Sequence, residues 1–221
     1  MQIVKKSRFL WSAIAALALA GNAGAAAFSD GSFESPGNGM SRTDIGLGIG
    51  PWVHGGSGLD LYEFTGSDGQ IAQDGVYFLG FGHSGTFGGT LSQTFDTLAG
   101  QQYTVSYYTA KQQDGSPGDA ALFDVTVFNT ANSVIEAMQS GSVLGTSYVK
   151  QNLLFNAIGA STTLVFRDDG GINNIAYNLS VDNFDVKLTG PGPGPVPEPG
   201  SSALLTLGLS VIWGVRRLRG T

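Results

Sequence analysis

The chain has 221 residues, a formal net charge of −6 and no cysteine. Without cysteine it forms no disulfide and no thiolate site, and its acidic balance disfavours binding to nucleic acid. Its 34 glycines, together with β-branched and aromatic residues at short spacing, favour an all-β fold.

The first 27 residues have the three parts of a secretory signal peptide. A basic start, an apolar run and a stretch of small residues follow one another at Lys5–Arg8, Phe9–Ala20 and Ala23–Ala25. This order is typical of a segment that directs export and is then removed. We therefore predict a signal helix over residues 1–27 and a folded domain over residues 28–190.

The predicted domain is more acidic than the whole chain, because most basic residues lie in the two terminal segments. Between residues 28 and 190, five basic residues stand against sixteen acidic ones, which gives a formal charge of −11. Such a surface repels polyanions, and it suits cation binding or solubility. A length of about 160 residues is enough for one self-contained core.

Within this domain, short strand-like runs recur between turns rich in Gly, Asp, Asn and Ser. No helical periodicity separates them, so we predict an antiparallel β-sandwich, most simply a jelly roll. The signal helix and a C-terminal hydrophobic helix flank this sandwich. The nine predicted strands are Phe28–Phe33, Leu59–Phe64, Val76–Phe81, Thr90–Phe95, Tyr103–Thr109, Phe123–Phe128, Val149–Phe155, Thr162–Arg167 and Asn178–Leu188.

The predicted last strand changes its pattern at Asp182-Asn183. Leu179 and Val181 are apolar at odd positions, whereas Phe184 and the later apolar residues stand at even positions. A regular strand would expose one of these two sets to solvent. We predict a β-bulge at Asp182-Asn183, which either twists a sheet edge or presents one of these side chains to a ligand or metal.

Two adjacent tyrosines, Tyr107 and Tyr108, must face opposite sides of their strand. We predict that one lies in the core and that the other lies at the surface. An exposed tyrosine beside polar loops is suited to stack on a sugar ring, because it offers an apolar face and a polar tip. We expect most of the other aromatic residues in the core.

The order of short motifs along the domain resembles that of the galactose-binding-like jelly rolls, which include the choice-of-anchor surface domains of bacteria. The motifs are Gly31-Ser32-Phe33-Glu34, Gly58-Leu59-Asp60-Leu61-Tyr62, Asp74-Gly75-Val76-Tyr77-Phe78, Gly89–Phe95, Ala99–Ser106 and Val181–Val186. The resemblance implies a structural Ca²⁺ between the first and last strands, with Glu34 and Asp182 as ligands. Hard cations of this kind take several oxygen ligands, some of them backbone carbonyls.

No constellation of residues marks the domain as an enzyme. His54 and His83 are the only histidines, and spacing singles out no pair of carboxylates. Gly80–Gly85 satisfies G-x-G-x-x-G, but the strand–helix context of a dinucleotide site is missing around it. We expect a non-catalytic protein. The alternative is a glycan-active enzyme of the cell envelope, which would have a deep cleft with converging carboxylates.

The C-terminal part combines a Pro/Gly-rich linker over residues 191–200 with a hydrophobic segment over residues 201–221. Its apolar run, Ala203–Val215, has 13 residues, fewer than the about 20 that span a bilayer comfortably. A Pro-Glu-Pro motif precedes the run and an arginine cluster follows it, at Pro197, Glu198, Pro199, Arg216, Arg217 and Arg219. This arrangement resembles the PEP-CTERM sorting signal of Gram-negative bacteria.

The sorting signal implies recognition by exosortase, a membrane protease, and a transient stay in the inner membrane before release to the cell surface or extracellular matrix. A permanent tail anchor is the alternative for this segment. We expect an exported surface or matrix protein that binds polysaccharide, or that is structural or adhesive in an exopolysaccharide matrix. A matrix component that binds other proteins is a further alternative, and it would expose a broad apolar patch.

Overall fold

The computed structural model describes residues 27–35, 43–44, 48–56, 59–83, 86–112, 120–171 and 179–191. The predicted signal peptide through residue 26 lies outside the described residues, and so does the chain after Pro191. That C-terminal part contains the predicted sorting residues Pro197, Glu198, Pro199, Arg216, Arg217 and Arg219. No helix within the described part is long and apolar enough to cross a bilayer.

The described residues form twelve strands and one 3₁₀ turn at Ser67–Gly69. Eight of the nine predicted strands are present, with bounds that differ by a few residues. The strands are β1 (Thr43–Asp44), β2 (Gly48–Ile49), β3 (Trp52–Gly56), β4 (Leu59–Phe64), β5 (Tyr77–His83), β6 (Gly89–Asp96), β7 (Gln101–Lys111), β8 (Ala121–Asn129), β9 (Ile135–Val143), β10 (Val149–Asn156), β11 (Ser161–Gly171) and β12 (Leu179–Pro191).

These strands form two sheets of six strands each, and the sheets pack face to face. Sheet A has the order β1-β4-β5-β12-β7-β10, and sheet B has the order β2-β3-β6-β11-β8-β9. All described pairings are antiparallel. The predicted antiparallel β-sandwich is confirmed.

Aromatic rings from both sheets meet at the centre of the core. The rings of Tyr107 on β7 and Phe184 on β12 stack with their centres 5.3 Å apart. Phe184 in turn meets Phe166 of β11 edge to face, at 5.9 Å. Alternation along β7 and β11 turns every second side chain inward, and large rings at these positions bury much apolar area. Aromatic contacts such as that of Phe184 with Phe166 therefore help to hold the two sheets together.

Residues 28–33, predicted as the first strand, form a turn instead. Asp30 and Phe33 have φ values of 52° and 58°, which lie outside the region that strands adopt. The turn carries both phenylalanines of this segment into the core. Gly31 allows the close entry, since a Cβ there would lie 1.8 Å from the carbonyl oxygen of Phe184. The apolar pattern of this segment reflects its packing between the sheets and not sheet pairing.

Two longer strands, β3 and β9, were not predicted from the sequence. β9 is an edge strand of sheet B, and most of its side chains are at least partly exposed, so it lacks apolar alternation. Its Gly141 also replaces an inward side chain, because a Cβ there would lie 2.2 Å from the ring of Phe123. β3 contains Gly55 and Gly56, and glycine is depleted in strands.

The predicted β-bulge at Asp182-Asn183 is confirmed. The register of β12 on β7 shifts between Asp182 and Asp185, and Asn183 has a φ of 50°. Apolar residues on both sides of this shift are buried in the core. The bulge thus keeps Leu179 and Val181 before the shift and Phe184 after it out of water, whereas Leu188, farther along β12, is exposed.

The sandwich has two ends, which we name by their contents. The exit end is where β12 stops at Pro191, and it holds the β6–β7 turn (residues 97–100), the β8–β9 turn (130–134) and the β10–β11 turn (157–160). At the opposite, cavity end, residues 144–148 connect β9 to β10. β7 has 11 residues and runs between the two ends, a span of roughly 33 Å at about 3.3 Å per residue.

Candidate functional site

Asp182, one of the two predicted metal ligands, anchors a loop on the outer face of sheet A, the face turned away from sheet B. Its Oδ2 accepts hydrogen bonds from the backbone N–H groups of Gln73, at 2.7 Å, and Asp74, at 3.1 Å. Its Oδ1 accepts one from the N–H of Asn183 at 2.7 Å. The side chain is fully buried. Burial raises the pKa of Asp182 to about 7, and the three N–H donors offset this only in part.

The bulge aims both of its polar side chains at the same loop. Asn183 donates a hydrogen bond from Nδ2 to Oε1 of Gln73 at 2.6 Å. Asp182 binds the backbone of the same residue. The structure therefore shows Asp182 and Asn183 bound to the chain's own loop, and the left-handed backbone of Asn183 is what directs them there.

Glu34, the other predicted metal ligand, holds the next residues of this loop. Its Oε1 accepts hydrogen bonds from the backbone N–H groups of Val76 and Tyr77, both at 2.8 Å. Gly75 makes room for this contact, since a Cβ there would lie 2.3 Å from Oε1. The structure thus brings Glu34 and Asp182 to one five-residue segment, 73–77, as two separate anchors.

The fit of this arrangement to Ca²⁺ is partial. Oε2 of Glu34 accepts no hydrogen bond from the described residues, and Asp74 adds a third carboxyl group on the same segment. The oxygens of Asp182, by contrast, already bind N–H donors, so a cation would have to share them. Among the described residues, no group of three His, Cys, Asp or Glu is arranged to hold a metal ion. Backbone carbonyl or water oxygens would have to complete the six to eight ligands that Ca²⁺ takes.

A cavity of about 370 Å³ lies at the cavity end, between the loop that precedes residue 73 and the β9–β10 connection. Gln70 joins these two segments, since its Nε2 donates to the carbonyl oxygen of Thr146 at 3.4 Å. The backbone carbonyl of Gln70 also accepts the N–H of Gly66 at 2.7 Å, which closes the loop. The cavity is lined by Gly69, Gln70, Ile71, Ala72, Thr146, Ser147 and Tyr148.

Tyr148 supplies the aromatic part of the cavity wall. Its hydroxyl is buried beside Ser180 and Gln70, and burial there raises its pKa. Ile71 adds an aliphatic side chain that is 68% exposed. The cavity therefore combines apolar surface with amide and hydroxyl groups, and none of the described side chains that line it is charged. This composition suits a neutral molecule that has both apolar and hydroxyl-bearing faces.

The outer face of sheet A continues from the cavity to Tyr108. Tyr108 is half-buried and lies opposite Asp182 on β12 and opposite Lys150 on β10. The Nζ of Lys150 lies 5.7 Å from the centre of the Tyr108 ring. Tyr107 is fully buried in the core. The prediction that one of these two tyrosines lies in the core is confirmed for Tyr107, whereas Tyr108 lies on the outer face and is half-buried.

Carboxyl groups with a raised pKa do not converge at the cavity. Burial raises the pKa of Asp30 in the N-terminal turn and of Glu136 at the exit end, as it does that of Asp182. None of the three lines the cavity. The described residues thus give this cavity no pair of carboxyl groups for general acid–base chemistry.

The sequence analysis did not identify the residues that line the cavity, because they come from distant segments of the chain and belong to no recognisable motif. Gln70 and Thr146 are 76 residues apart in the chain and meet only through the sheet topology. The only local signal was turn composition, with Gly66 and Gly69 around the 3₁₀ turn. Tyr148 appeared among aromatic residues expected in the core, whereas it is half-buried and lines the cavity.

Comparison with known proteins places the fold. No family model matches the chain, and no curated protein matches it. The carbohydrate-binding module TmCBM61, solved in complex with β-1,4-galactotriose, matches 73% of this chain over 97% of its own length, with 16% identity and a TM-score of 0.51. At this identity the likeness establishes a shared β-sandwich fold.

Two further solved structures resemble the chain more distantly. The CBM22-1 xylan-binding domain of Paenibacillus barcinonensis Xyn10C matches 66% of this chain and 92% of its own, with 15% identity and a TM-score of 0.47. The α-L-arabinofuranosidase MgGH51, bound to arabinose, matches 73% of this chain over 26% of its own, with 12% identity and a TM-score of 0.49.

Proposed function

We propose that this chain is an exported, non-catalytic protein that binds polysaccharide through the cavity end of its β-sandwich. The observation that carries this proposal is the cavity of about 370 Å³, which opens beside Tyr148 and Ile71 and has no charged side chain among the described residues that line it. Its volume lies in the range of small-molecule sites, about 300–1,000 Å³. A sugar ring has apolar faces that pack on Tyr148 and hydroxyl groups that pair with Gln70, Thr146 and Ser147.

The sheet face beside the cavity extends this site for a longer chain. Tyr108 lies on the same face, and Lys150 places a positive charge over its ring. A polysaccharide that enters the cavity with one sugar can therefore follow the sheet with the next. The likeness to a module solved with β-1,4-galactotriose supports a carbohydrate ligand for this fold. None of the described residues that line the cavity carries a carboxyl group, so we do not propose glycan cleavage.

The direct test is calorimetric titration of the purified full-length chain with galactan, xylan and acidic oligosaccharides. We expect Tyr148→Ala to weaken binding at least about fivefold, since loss of a buried aromatic contact costs about 1 kcal/mol or more. Tyr148→Phe, which keeps the ring, should bind as the wild type does. Val53→Ala, an exposed site on sheet B, serves as the control. Absence of heat with all oligosaccharides would contradict a carbohydrate function.

For the loop beside the cavity, we propose a structural Ca²⁺ held by Glu34 and Asp182, with Asp74 on the same segment as a further oxygen donor. The shared five-residue segment and the burial of Asp182 without a described cationic partner support this assignment. The melting temperature should rise when CaCl₂ replaces EDTA, and Glu34→Gln should reduce that rise. An identical melting temperature under both conditions would exclude a stabilising cation here.

For the terminal segments, we propose export through the signal peptide and sorting by an exosortase-type protease of a Gram-negative bacterium. The support is the Pro-Glu-Pro motif with its apolar run and arginines after Pro191. Processing would release the domain to the cell surface or to an exopolysaccharide matrix. Intact mass of the cell-associated and secreted forms tests this, because recovery of the unprocessed chain alone would contradict it.

A further inference from the structure

Five large apolar side chains are exposed at the exit end, far from the proposed sugar site. Leu98 is 63% exposed, Val134 48%, Ile135 58%, Ile158 51% and Leu188 55%. Single exposed apolar residues are common on protein surfaces. Here, however, every turn of this end carries at least one, and the last strand adds another just before the chain leaves the domain.

Backbone hydrogen bonds join these turns into one surface. The N–H groups of Thr97 and Gly100, in the β6–β7 turn, donate to the β10–β11 turn at 3.0 and 2.7 Å. The N–H of Thr130, in the β8–β9 turn, donates to the first residue of β11 at 3.1 Å. The exposed apolar side chains therefore project from neighbouring turns that are fixed relative to one another.

The three turns of the exit end contain no charged residue, although the domain as a whole has a formal charge of −11. The nearest carboxyl groups belong to Asp96, at the end of β6, and Glu136, near the start of β9. Glu136 is half-buried, and its oxygens bind the N–H of Ile158 and the hydroxyl of Thr162. The three turns of the exit end thus form an uncharged, partly apolar surface on an acidic domain.

The chain leaves the domain at this same surface. β12 ends at Pro191, and the apolar run Ala203–Val215 begins after eleven further residues. Even fully extended, at about 3.3–3.6 Å per residue, eleven residues reach only about 36–40 Å. While the run is inserted in a bilayer, this tether keeps the exit end within reach of the lipid.

We infer that the exit end rests on the lipid bilayer, with Leu98, Val134 and Ile158 in contact with the headgroup–acyl boundary. This inference rests on the proposed insertion of the C-terminal run. The partner is a lipid surface and not a second copy of the chain, because pairing two exit ends would bring two domains of −11 together. The short tether supplies the high local concentration that such a small apolar contact needs. Because the proposed sugar site lies at the opposite end of the sandwich, contact of the exit end with the bilayer turns that site away from the membrane.

The test uses the full-length chain in phosphatidylcholine vesicles that contain nitroxide-labelled lipid. Because the protein has no native cysteine, a single introduced cysteine gives one fluorophore site. Ala99→Cys and Ala160→Cys report on the exit end. Ser142→Cys, at an exposed position of β9 close to the cavity end, is the matched control outside the proposed sugar site. We expect quenching at the first two sites to exceed that at Ser142→Cys by at least about twofold. The triple variant Leu98→Ser, Val134→Ser, Ile158→Ser should lose this difference while it still floats with the vesicles.

Each other outcome overturns the inference. Equal quenching at all three sites, or none in a chain that floats with vesicles, shows that the domain is not oriented by the exit end. Quenching only when phosphatidylglycerol is present would show electrostatic attraction, which the acidic domain does not predict. If the wild-type chain does not float with the vesicles, the C-terminal run does not insert and the inference is wrong. Sugar binding by the same preparation is measured separately, so that failure of the proposed carbohydrate function is distinguished from failure of this inference.

Discussion

At the cavity end and at the exit end, the sandwich uses the same device, a carboxyl group bound to loop backbone, at different depths. Asp182 is fully buried and accepts three backbone N–H groups. Glu136 is half-buried and accepts one N–H, from Ile158, and the hydroxyl of Thr162. The burial of each carboxyl group and the number of its hydrogen-bond donors set its contribution to the free energy of unfolding. This is because a buried donor that loses its acceptor costs about 1–3 kcal/mol.

The two ends also differ in what surrounds the anchor. Around Asp182 the acceptor serves Gln73 and Asp74, and the loop they belong to leads back to one wall of the cavity. Near Glu136, the hydroxyls of Thr97 and Thr162 form a hydrogen bond of 2.9 Å, which ties the uncharged β6–β7 turn to β11. A polar site needs a positioned loop, whereas a surface for lipid needs turns without charge, and the same fold provides both.

The largest expected effect is at the cavity end. Asp182→Ala should lower the free energy of unfolding by about 3 kcal/mol, since three backbone N–H donors lose their acceptor and only part of that cost is offset by removing a buried charge. Urea unfolding of the full-length chain measures it. Asp185→Ala is the matched control on the same strand, because Asp185 forms an exposed ion pair with Lys187. Its effect should stay below about 1 kcal/mol. Equal effects of the two variants would show that burial does not set the importance of the anchor.

A smaller effect is expected at the exit end. Thr162→Val keeps the shape of a fully buried side chain but removes the hydroxyl that binds Thr97 and Glu136. The loss should be about 1–2 kcal/mol by the same urea assay. Thr126→Val, at a half-buried position of β8, is the control and should change stability by less than about 0.5 kcal/mol. A loss as large as that of Asp182→Ala would mean that both ends depend equally on their polar networks.

The sequence predicted most strands of the sandwich and the β-bulge of β12, but it did not predict the turn at residues 28–33 or the edge strand β9. Alternation revealed β8, β11 and most of β12, and the change of parity at Asp182-Asn183 revealed the bulge, because each pattern is local. The turn at residues 28–33 was mistaken for a strand, because apolar spacing does not report a positive φ such as that of Asp30. β9 was missed because an exposed edge strand with Gly141 against a ring carries no alternation.

The site depends on contacts between distant segments, which a single sequence does not encode in any motif. The motif resemblance selected Glu34 and Asp182, and the structure brings both to the segment 73–77. It did not indicate that Asp182 is occupied by backbone donors, since this requires the loop to fold over the bulge. The cavity between Gln70 and Thr146 follows from sheet order alone and had no sequence signal.

The smallest expected effect is the pH dependence of the stability that Glu136 contributes at the exit end. Burial raises the pKa of Glu136 above its ordinary value of 4.5, so the folded state keeps its proton to higher pH than the unfolded state does. The stability that Glu136 contributes is therefore full below pH 4.5 and is lost as the pH rises through the folded pKa. Glu136→Gln, which can still accept from Ile158 and meet the hydroxyl of Thr162, carries no titrating proton.

The measurement is the free energy of unfolding of wild type and Glu136→Gln between pH 4 and pH 7, in urea with EDTA. The free energy of unfolding of the wild type minus that of the variant should fall steadily across this range. Titration of the other acidic groups is common to both chains, so its contribution cancels in the difference. A difference that rises with pH would mean that the hydrogen bonds from Ile158 and Thr162 stabilise the charged form more than burial destabilises it. Glu136 would then behave as an ordinary surface carboxylate, and of the two anchors only Asp182 would remain a carboxyl group whose charge opposes folding.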